Sequence, residues 1–137
     1  MQRPELLEAC CRRHGLLAVY LFGSRADDGL RVLRGEEAER SGSDLDVGVV
    51  FREEPSDLLI LSDLQVALED VFDPLRVDLT PIERVDALLA FAAIDGHRVA
   101  VTDLTATDYF ELDVMRRAAE LLPIERFLER ELLGVSR

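Results

Sequence analysis

Two aspartates, Asp44 and Asp46, lie one residue apart at the head of the apolar segment 47–51. Because side chains alternate along a strand, a strand beginning here places both carboxylates on the same face. Adjacent carboxylates repel each other, so a cation between them would stabilise the pair. Magnesium, which prefers hard oxygen ligands, meets that requirement. The same pattern also occurs where both side chains are simply solvated at a strand end, and the pair alone does not decide between the two interpretations.

Gly23 and Ser24 are candidates for an anion site, since they directly follow the continuous apolar segment 16–22. An apolar run of this length is typical of a buried strand. A glycine lets the backbone approach a ligand closely, and the start of a following helix favours a negative charge. The Ser24 hydroxyl can donate to a phosphate oxygen. Alternatively, Gly23 is an ordinary turn residue and Ser24 an N-cap.

A third acid, Asp78, interrupts the short apolar segment 75–79. An aspartate buried there without a partner would be costly, so the side chain needs either a partner or exposure to solvent. It is therefore a further candidate metal ligand, or else an outward-facing residue of a half-exposed strand.

Hydrophobic periodicity and turn residues predict the elements that must position these side chains. We expect one domain over residues 1–137, an α/β fold with a small mixed sheet flanked by helices. Residues 27–43 are polar and glycine-punctuated, which predicts an exposed loop with a short helix near 36–40. The predicted strands are 16–22, 44–51, 75–79 and 98–102; the predicted helices are 4–14, 58–72, 85–94 and a tail over 105–133 that Pro123 splits in two.

Composition limits the classes of function. The 137 residues are 48% hydrophobic and 32% charged, which describes a globular domain. The apolar runs are too short to span a bilayer and the first residues lack a signal sequence, so we expect a cytoplasmic protein without a membrane partner.

The net charge of −12 argues against nucleic acid as a partner. All sixteen basic residues are Arg, so any phosphate must be bound by metal, backbone N–H groups or guanidinium. The adjacent Cys10 and Cys11 lack the spacing of a metal site and are expected to pack in the interior.

Taken together, the segments GSRA, SGSDLDVGVVF and RVDLT resemble the signature of the nucleotidyltransferase superfamily that includes DNA polymerase β. The small size makes the chain similar to the minimal nucleotidyltransferases (MNT proteins), many of which are antitoxins encoded beside a helical HEPN toxin. The resemblance covers residues 16–102 as the core, with the helical tail over about 104–133 as an extension.

The resemblance implies a role for each candidate residue. Gly23 and Ser24 would bind the β- and γ-phosphates of ATP, and Asp44 and Asp46 would ligate magnesium. Asp78 would hold a second metal ion near the acceptor hydroxyl and help to remove its proton. Arg25, the nearest cation in sequence, is the candidate for an additional nucleotide contact.

Two features depart from the family pattern. Nineteen residues (44 − 24 − 1) separate Ser24 from Asp44, which is longer than the usual spacer, and the excess is expected to form the charged loop. Asp27 and Asp28 follow Ala26 where the family often has Arg-Gly, and these acids must point away from a triphosphate.

The function implied is transfer of AMP from ATP to a cognate HEPN toxin, which neutralises the toxin. One alternative is a non-catalytic module of the same fold that neutralises the toxin by contact, and another is a nucleotidyltransferase acting on a small molecule. The oligomeric state stays open, a homo-oligomer included. Apolar residues of the tail are expected either to pack on the sheet or to face a partner: Tyr109, Phe110, Leu112, Met115, Leu121, Phe127 and Leu128.

Overall fold

The computed structural model describes residues 1–55 and 57–133. Its helices are α1 (Arg3–His14), α2 (Ala26–Leu33), α3 (Leu58–Val71), α4 (Ala87–Ile94) and α5 (Leu104–Leu133), and its strands are β1 (Leu16–Phe22), β2 (Leu45–Phe51), β3 (Val77–Pro81) and β4 (His97–Val101), with a 3-10 turn at Ile82–Arg84. Among these described helices, none combines the length and the apolar character that crossing a membrane requires.

The four strands form one mixed sheet in the spatial order β3-β2-β1-β4. Strand β1 pairs antiparallel with β2 and β4, whereas β2 and β3 are parallel. This topology brings the C-terminal end of β1 to the same edge of the sheet as the N-terminal ends of β2 and β3. The predicted fold class, a small mixed sheet flanked by helices, is confirmed.

Helices cover both faces of the sheet and create two cores. Leu45, Val47 and Val49 of β2 face the core built with α1 and α3. Val50 faces the second core, which contains residues of α4 and α5. Because side chains alternate along a strand, Asp46 lies on the α4 and α5 side of β2.

Helix α2 corrects the prediction of an exposed loop over 27–43. Ala26, Gly29 and Val32 recur every three residues and are buried against the sheet. A Cβ at Gly29 would lie 2.7 Å from Leu21 Cδ1 and 3.0 Å from Leu45 Cδ1, so this glycine permits close packing of helix on sheet. The predicted short helix near 36–40 is also wrong, since an irregular loop follows α2 as far as β2.

Helix α5 is continuous, and the predicted break at Pro123 does not occur. A proline removes one helical hydrogen bond without forcing the chain to leave the helix.

Only part of the predicted apolar stripe of α5 packs inward. Val114 and Ala118 are buried, whereas Tyr109, Leu112 and Met115 are 71%, 61% and 43% exposed. The side chains of Phe127 and Leu128 lie outside the described part of the molecule.

A hydrogen-bonded group centred on the buried Tyr20 attaches α5 to the sheet. The Tyr20 side chain is fully buried, and its hydroxyl donates to Glu111 Oε2 at 2.5 Å. Arg98 of β4 donates to the same carboxylate at 3.0 Å and to Asp108 at 3.2 Å. These contacts hold α5 across β1 and β4, on the face of the sheet that carries Asp46.

Cys10 and Cys11 are both buried, as predicted from their spacing, and are expected to be unreactive. Burial raises the pKa of the Cys10 thiol to about 11 and that of Cys11 to about 12. At pH 8 the reactive thiolate is therefore roughly one part in a thousand or less of either group. Titration with a disulfide reagent should detect no fast-reacting thiol in the folded chain and two after denaturation. Rapid labelling of the native chain would contradict the packing described here.

Candidate nucleotidyl-transfer site

The predicted site residues meet at the edge of the sheet where β1 ends and β2 and β3 begin. In the strand register, Asp46 of β2 lies opposite Phe22 of β1 on one side and Asp78 of β3 on the other. Gly23 and Ser24 directly follow β1, and Asp44 directly precedes β2. Residues predicted separately from three strands are therefore neighbours in the fold.

Asp46 and Asp78 occupy paired positions in the parallel register of β2 and β3, so their side chains lie side by side on the same face of the sheet. Burial raises the pKa of the Asp46 carboxyl, and the neighbouring Asp78 carboxyl and the negative charge of Asp44 raise that pKa further. The like charges gathered here are those that a bound cation would neutralise.

The donor chemistry of this edge fits a hard cation. The three aspartates offer carboxylate oxygens, the ligands that magnesium prefers. Asp46 and Asp78 are paired across the two strands, and Asp44, which is exposed as Asp78 is, acts on Asp46 through its charge. In the part of the chain that the structure describes, no three His, Cys, Asp or Glu side chains already stand close enough to hold a metal ion. Asp44 must therefore move toward the other two if all three bind one ion.

Gly23 packs directly against the Asp46 carboxylate. Its φ of 74° lies in the left-handed region, which side chains with a Cβ disfavour. A Cβ at this position would overlap Asp46 Oδ2 and lie 3.2 Å from Cγ. The glycine thus leaves free the space in which the end of β1 meets the carboxylate pair.

Ser24 is linked to the other side of the site through Ser43, a residue that the sequence reasoning missed. The two Oγ atoms are 3.1 Å apart, and both residues are exposed. Ser24 does not cap α2, because the N-cap position is Arg25 and has no side-chain cap. Ser43 directly precedes Asp44, and this adjacency is the sequence signal that could have identified it.

The structure gives Arg25 a different environment from the predicted nucleotide contact. Its side chain is only 9% exposed and pairs with Asp28 at 2.9 Å. The remaining nitrogens donate to the carbonyl oxygens of Glu39 at 2.6 Å, Ser41 at 3.1 Å and Ser43 at 3.2 Å. Because the guanidinium is already bonded on several sides, we revise the role of Arg25 from ligand binding to holding the loop before β2.

Replacing Arg25 by Gln is expected to lower the free energy of unfolding by about 2 kcal/mol, the scale of a lost charge-assisted hydrogen-bond group. Amide hydrogen exchange should accelerate over residues 39–44. Arg31→Gln is the matched control, because Arg31 pairs with the same Asp28 but is 58% exposed. The control should change stability by less than about 0.5 kcal/mol. Equal effects of the two variants would refute the loop-holding role.

The two acids that depart from the family pattern are directed to other partners. Asp28 accepts from Arg25 and Arg31. Asp27 Oδ1 lies 3.0 Å from His97 Nε2 at the start of β4. Both carboxylates therefore have contacts outside the Gly23–Asp46 region, as binding of a triphosphate there requires.

Comparison with known proteins agrees with this geometry. The family model described as Polymerase beta, Nucleotidyltransferase matches residues 5–103. No curated protein matches the sequence significantly. Because the family model covers most of the chain, this protein belongs to the polymerase β-type nucleotidyltransferase family.

Several solved structures share the fold. A structure described as a minimal nucleotidyltransferase is 33% identical, with a TM-score of 0.51, over 72% of this chain and 88% of the other. A tri-AMPylated HEPN toxin in complex with an MNT antitoxin from Shewanella oneidensis gives 17% identity and a TM-score of 0.66, over 97% and 99%. A toxin–antitoxin structure with AMP-PNP gives 17% identity and a TM-score of 0.67, over 95% and 98%. At such identities, the last two matches establish the fold.

Proposed function

We propose that this chain is a magnesium-dependent protein adenylyltransferase that acts as an antitoxin, transferring AMP from ATP to a HEPN-family toxin. The observation that carries the proposal is the Asp46–Asp78 carboxylate pair packed against Gly23 at one sheet edge. A structural role alone does not account for two acids paired across adjacent strands, because their repulsion opposes folding.

Each residue of the site has a part in binding the substrates. Gly23 and Ser24 would receive the β- and γ-phosphates through backbone N–H and hydroxyl donors. Asp44, Asp46 and Asp78 would hold magnesium, which when bound neutralises charge on the triphosphate and on the attacking oxygen. Arg25 keeps the loop and Ser43 in place beside Ser24.

The reaction follows from this placement. The acceptor hydroxyl oxygen of the partner bonds to the α-phosphorus, and the bond from that phosphorus to the bridging oxygen breaks. Pyrophosphate leaves from the Gly23–Ser24 side, and Asp78 takes the hydroxyl proton. In-line transfer of this kind depends on positioning and charge neutralisation more than on covalent chemistry by the protein.

The choice of partner rests on the similar complexes and on the surface. In one similar structure, a tri-AMPylated Shewanella oneidensis HEPN toxin is in complex with an MNT antitoxin. In this chain α5 presents exposed Tyr109, Leu112 and Met115, a surface suited to another protein. The net charge of −12 favours a protein partner over a polynucleotide.

The direct test incubates the chain with ATP, Mg²⁺ and a cognate HEPN-family toxin. We expect adenylate mass on the partner and stoichiometric release of pyrophosphate. Chelation of the metal should stop the transfer, because the three carboxylates then repel the triphosphate. If the partner acquires no mass while nucleotide and metal are bound, adenylyl transfer is refuted.

A non-catalytic toxin-binding module is the second candidate function. The exposed apolar residues of α5 favour it, since they need no chemistry at the sheet edge to bind a partner. An Asp44→Asn/Asp46→Asn double variant separates the two. Should this variant neutralise the toxin as well as the unmodified chain does, with no mass change on the toxin, contact alone suffices.

A further inference from the structure

A cavity of about 440 Å³ opens between the irregular loop before β2 and the residue that precedes β3. It is lined by Arg40, Ser41, Gly42, Ser43, Asp44 and Arg76. Arg76 directly precedes Val77, and the Leu45 N–H donates to the Arg76 carbonyl at 2.8 Å. The cavity is therefore continuous with the metal-binding candidates through Asp44, and with Ser24 through its contact with Ser43.

Two guanidinium groups at this cavity are not used in polar contacts among the described residues. Arg40 and Arg76 are exposed, and in the described portion of the chain neither side chain donates a hydrogen bond or forms an ion pair. This stands out in a protein with 28 acids and sixteen arginines. By contrast, Arg25 and Arg31 nearby are bound to Asp28. A free guanidinium fork matches the oxygens of a phosphate group.

The loop that carries Arg40 is held on both sides of that residue. Arg25 donates to the carbonyl oxygen of Glu39, which precedes Arg40, and to that of Ser41, which follows it. This contact reduces the conformational freedom that Arg40 would lose on binding a ligand. The backbone beside Arg40 is thus fixed while its side chain is left free to make a contact.

We propose that Arg40 and Arg76 form the subsite for the terminal phosphate of a nucleoside triphosphate. This inference rests on the proposed function, which places the distal phosphates at Gly23 and Ser24. From there the Ser24–Ser43 contact leads into the cavity, whose two cations compensate for the chain's lack of lysine. The Asp44 carboxylate at the rim is compatible with a phosphate because it is a proposed magnesium ligand.

The test measures the dissociation constants of ATP, ADP and inorganic tripolyphosphate, each with Mg²⁺, by titration calorimetry. Arg40→Gln and Arg76→Gln should each weaken ATP and tripolyphosphate binding about tenfold, near the lower limit for a hydrogen bond to a charged group. The loss for ADP, which lacks the terminal phosphate, should be smaller. Arg12→Gln is the matched control, because Arg12 is exposed on α1 and pairs with Glu8. Unchanged melting temperatures would establish that the variants are folded.

The outcomes separate this subsite from the proposed reaction. Unaltered ATP affinity in both variants overturns the subsite. If ATP affinity is unaltered but KM for the acceptor protein rises, the cavity receives the acceptor instead and adenylyl transfer stands. If the unmodified chain binds ATP but transfers no AMP, the proposed reaction is refuted. The ATP affinities of the two variants then still test the subsite. If the unmodified chain binds no nucleotide, both are refuted.

Discussion

Replacing Asp46 by Asn should reduce AMP transfer by at least about 100-fold, because even a supporting partner of a metal site is worth roughly 10–100-fold. Asp46 is paired with Asp78 in the strand register and is influenced by the negative charge of Asp44, so it is central to the proposed magnesium site. Asn has nearly the same shape and retains one oxygen, yet it loses the charge that binds a divalent cation. The measurement is the rate of adenylate incorporation into the partner at saturating ATP and Mg²⁺.

The same substitution should not destabilise the metal-free fold. Asn can bond to Asp78, and the repulsion between the carboxylates disappears, so the melting temperature in chelator should be unchanged or slightly higher. Asp63→Asn is the matched control: Asp63 is exposed on α3, which packs on the other face of the sheet. The control should leave both rate and stability unaltered. A large loss of stability in Asp46→Asn would identify Asp46 as a structural residue.

Gly23→Ala is expected to be the most disruptive single-methyl substitution at the site. The added Cβ would overlap the Asp46 carboxylate, and the backbone at φ 74° is unfavourable for alanine. Positive-φ strain costs about 1–2 kcal/mol, and the overlap adds to it. We expect a lower free energy of unfolding together with loss of transfer, measured by denaturant titration and by adenylate incorporation.

Gly15→Ala separates the two causes. Gly15 has a φ of 67°, close to that of Gly23, but among the described residues no atom beyond its own chain neighbours lies within 4 Å of the position that an added Cβ would occupy. This variant should show the backbone strain alone, with transfer retained after correction for the folded fraction. If Gly15→Ala and Gly23→Ala are equally destabilised and equally active, contact between Gly23 and Asp46 has no functional importance.

Local patterns were sufficient to predict most of the elements. The continuous apolar segment 16–22 coincides with β1, because a strand buried on both faces has no polar position to interrupt it. The end of α1 at His14 follows from Gly15, which adopts the left-handed conformation expected of a helix stop. Such signals depend on neighbours in sequence, so they are readable without the fold.

Helix α2 escaped the prediction because its signal depends on packing. Gly29 in isolation predicts a helix break, yet in the fold a Cβ at this position would crowd the terminal methyl groups of Leu21 and Leu45, so glycine allows a closer approach of the helix to the sheet. Favourable close packing of the helix on the sheet outweighs the intrinsic cost of glycine, about 1 kcal/mol. Sequence periodicity does not predict which side chains of other elements pack against a helix.

By itself, the sequence determined the chemistry available to this protein: aspartates at period-two spacing, a glycine and serine after a buried strand, arginine as the sole cation, and the family to which those motifs point. The tertiary structure alone decided which groups meet. Asp78 reaches Asp46 only through the parallel register of β2 and β3. Arg25, adjacent to Ser24 in sequence, turns into the loop, whereas Arg76 from a distant segment faces the cavity. Strand register and burial set these contacts, because both arise from interactions between residues far apart along the chain.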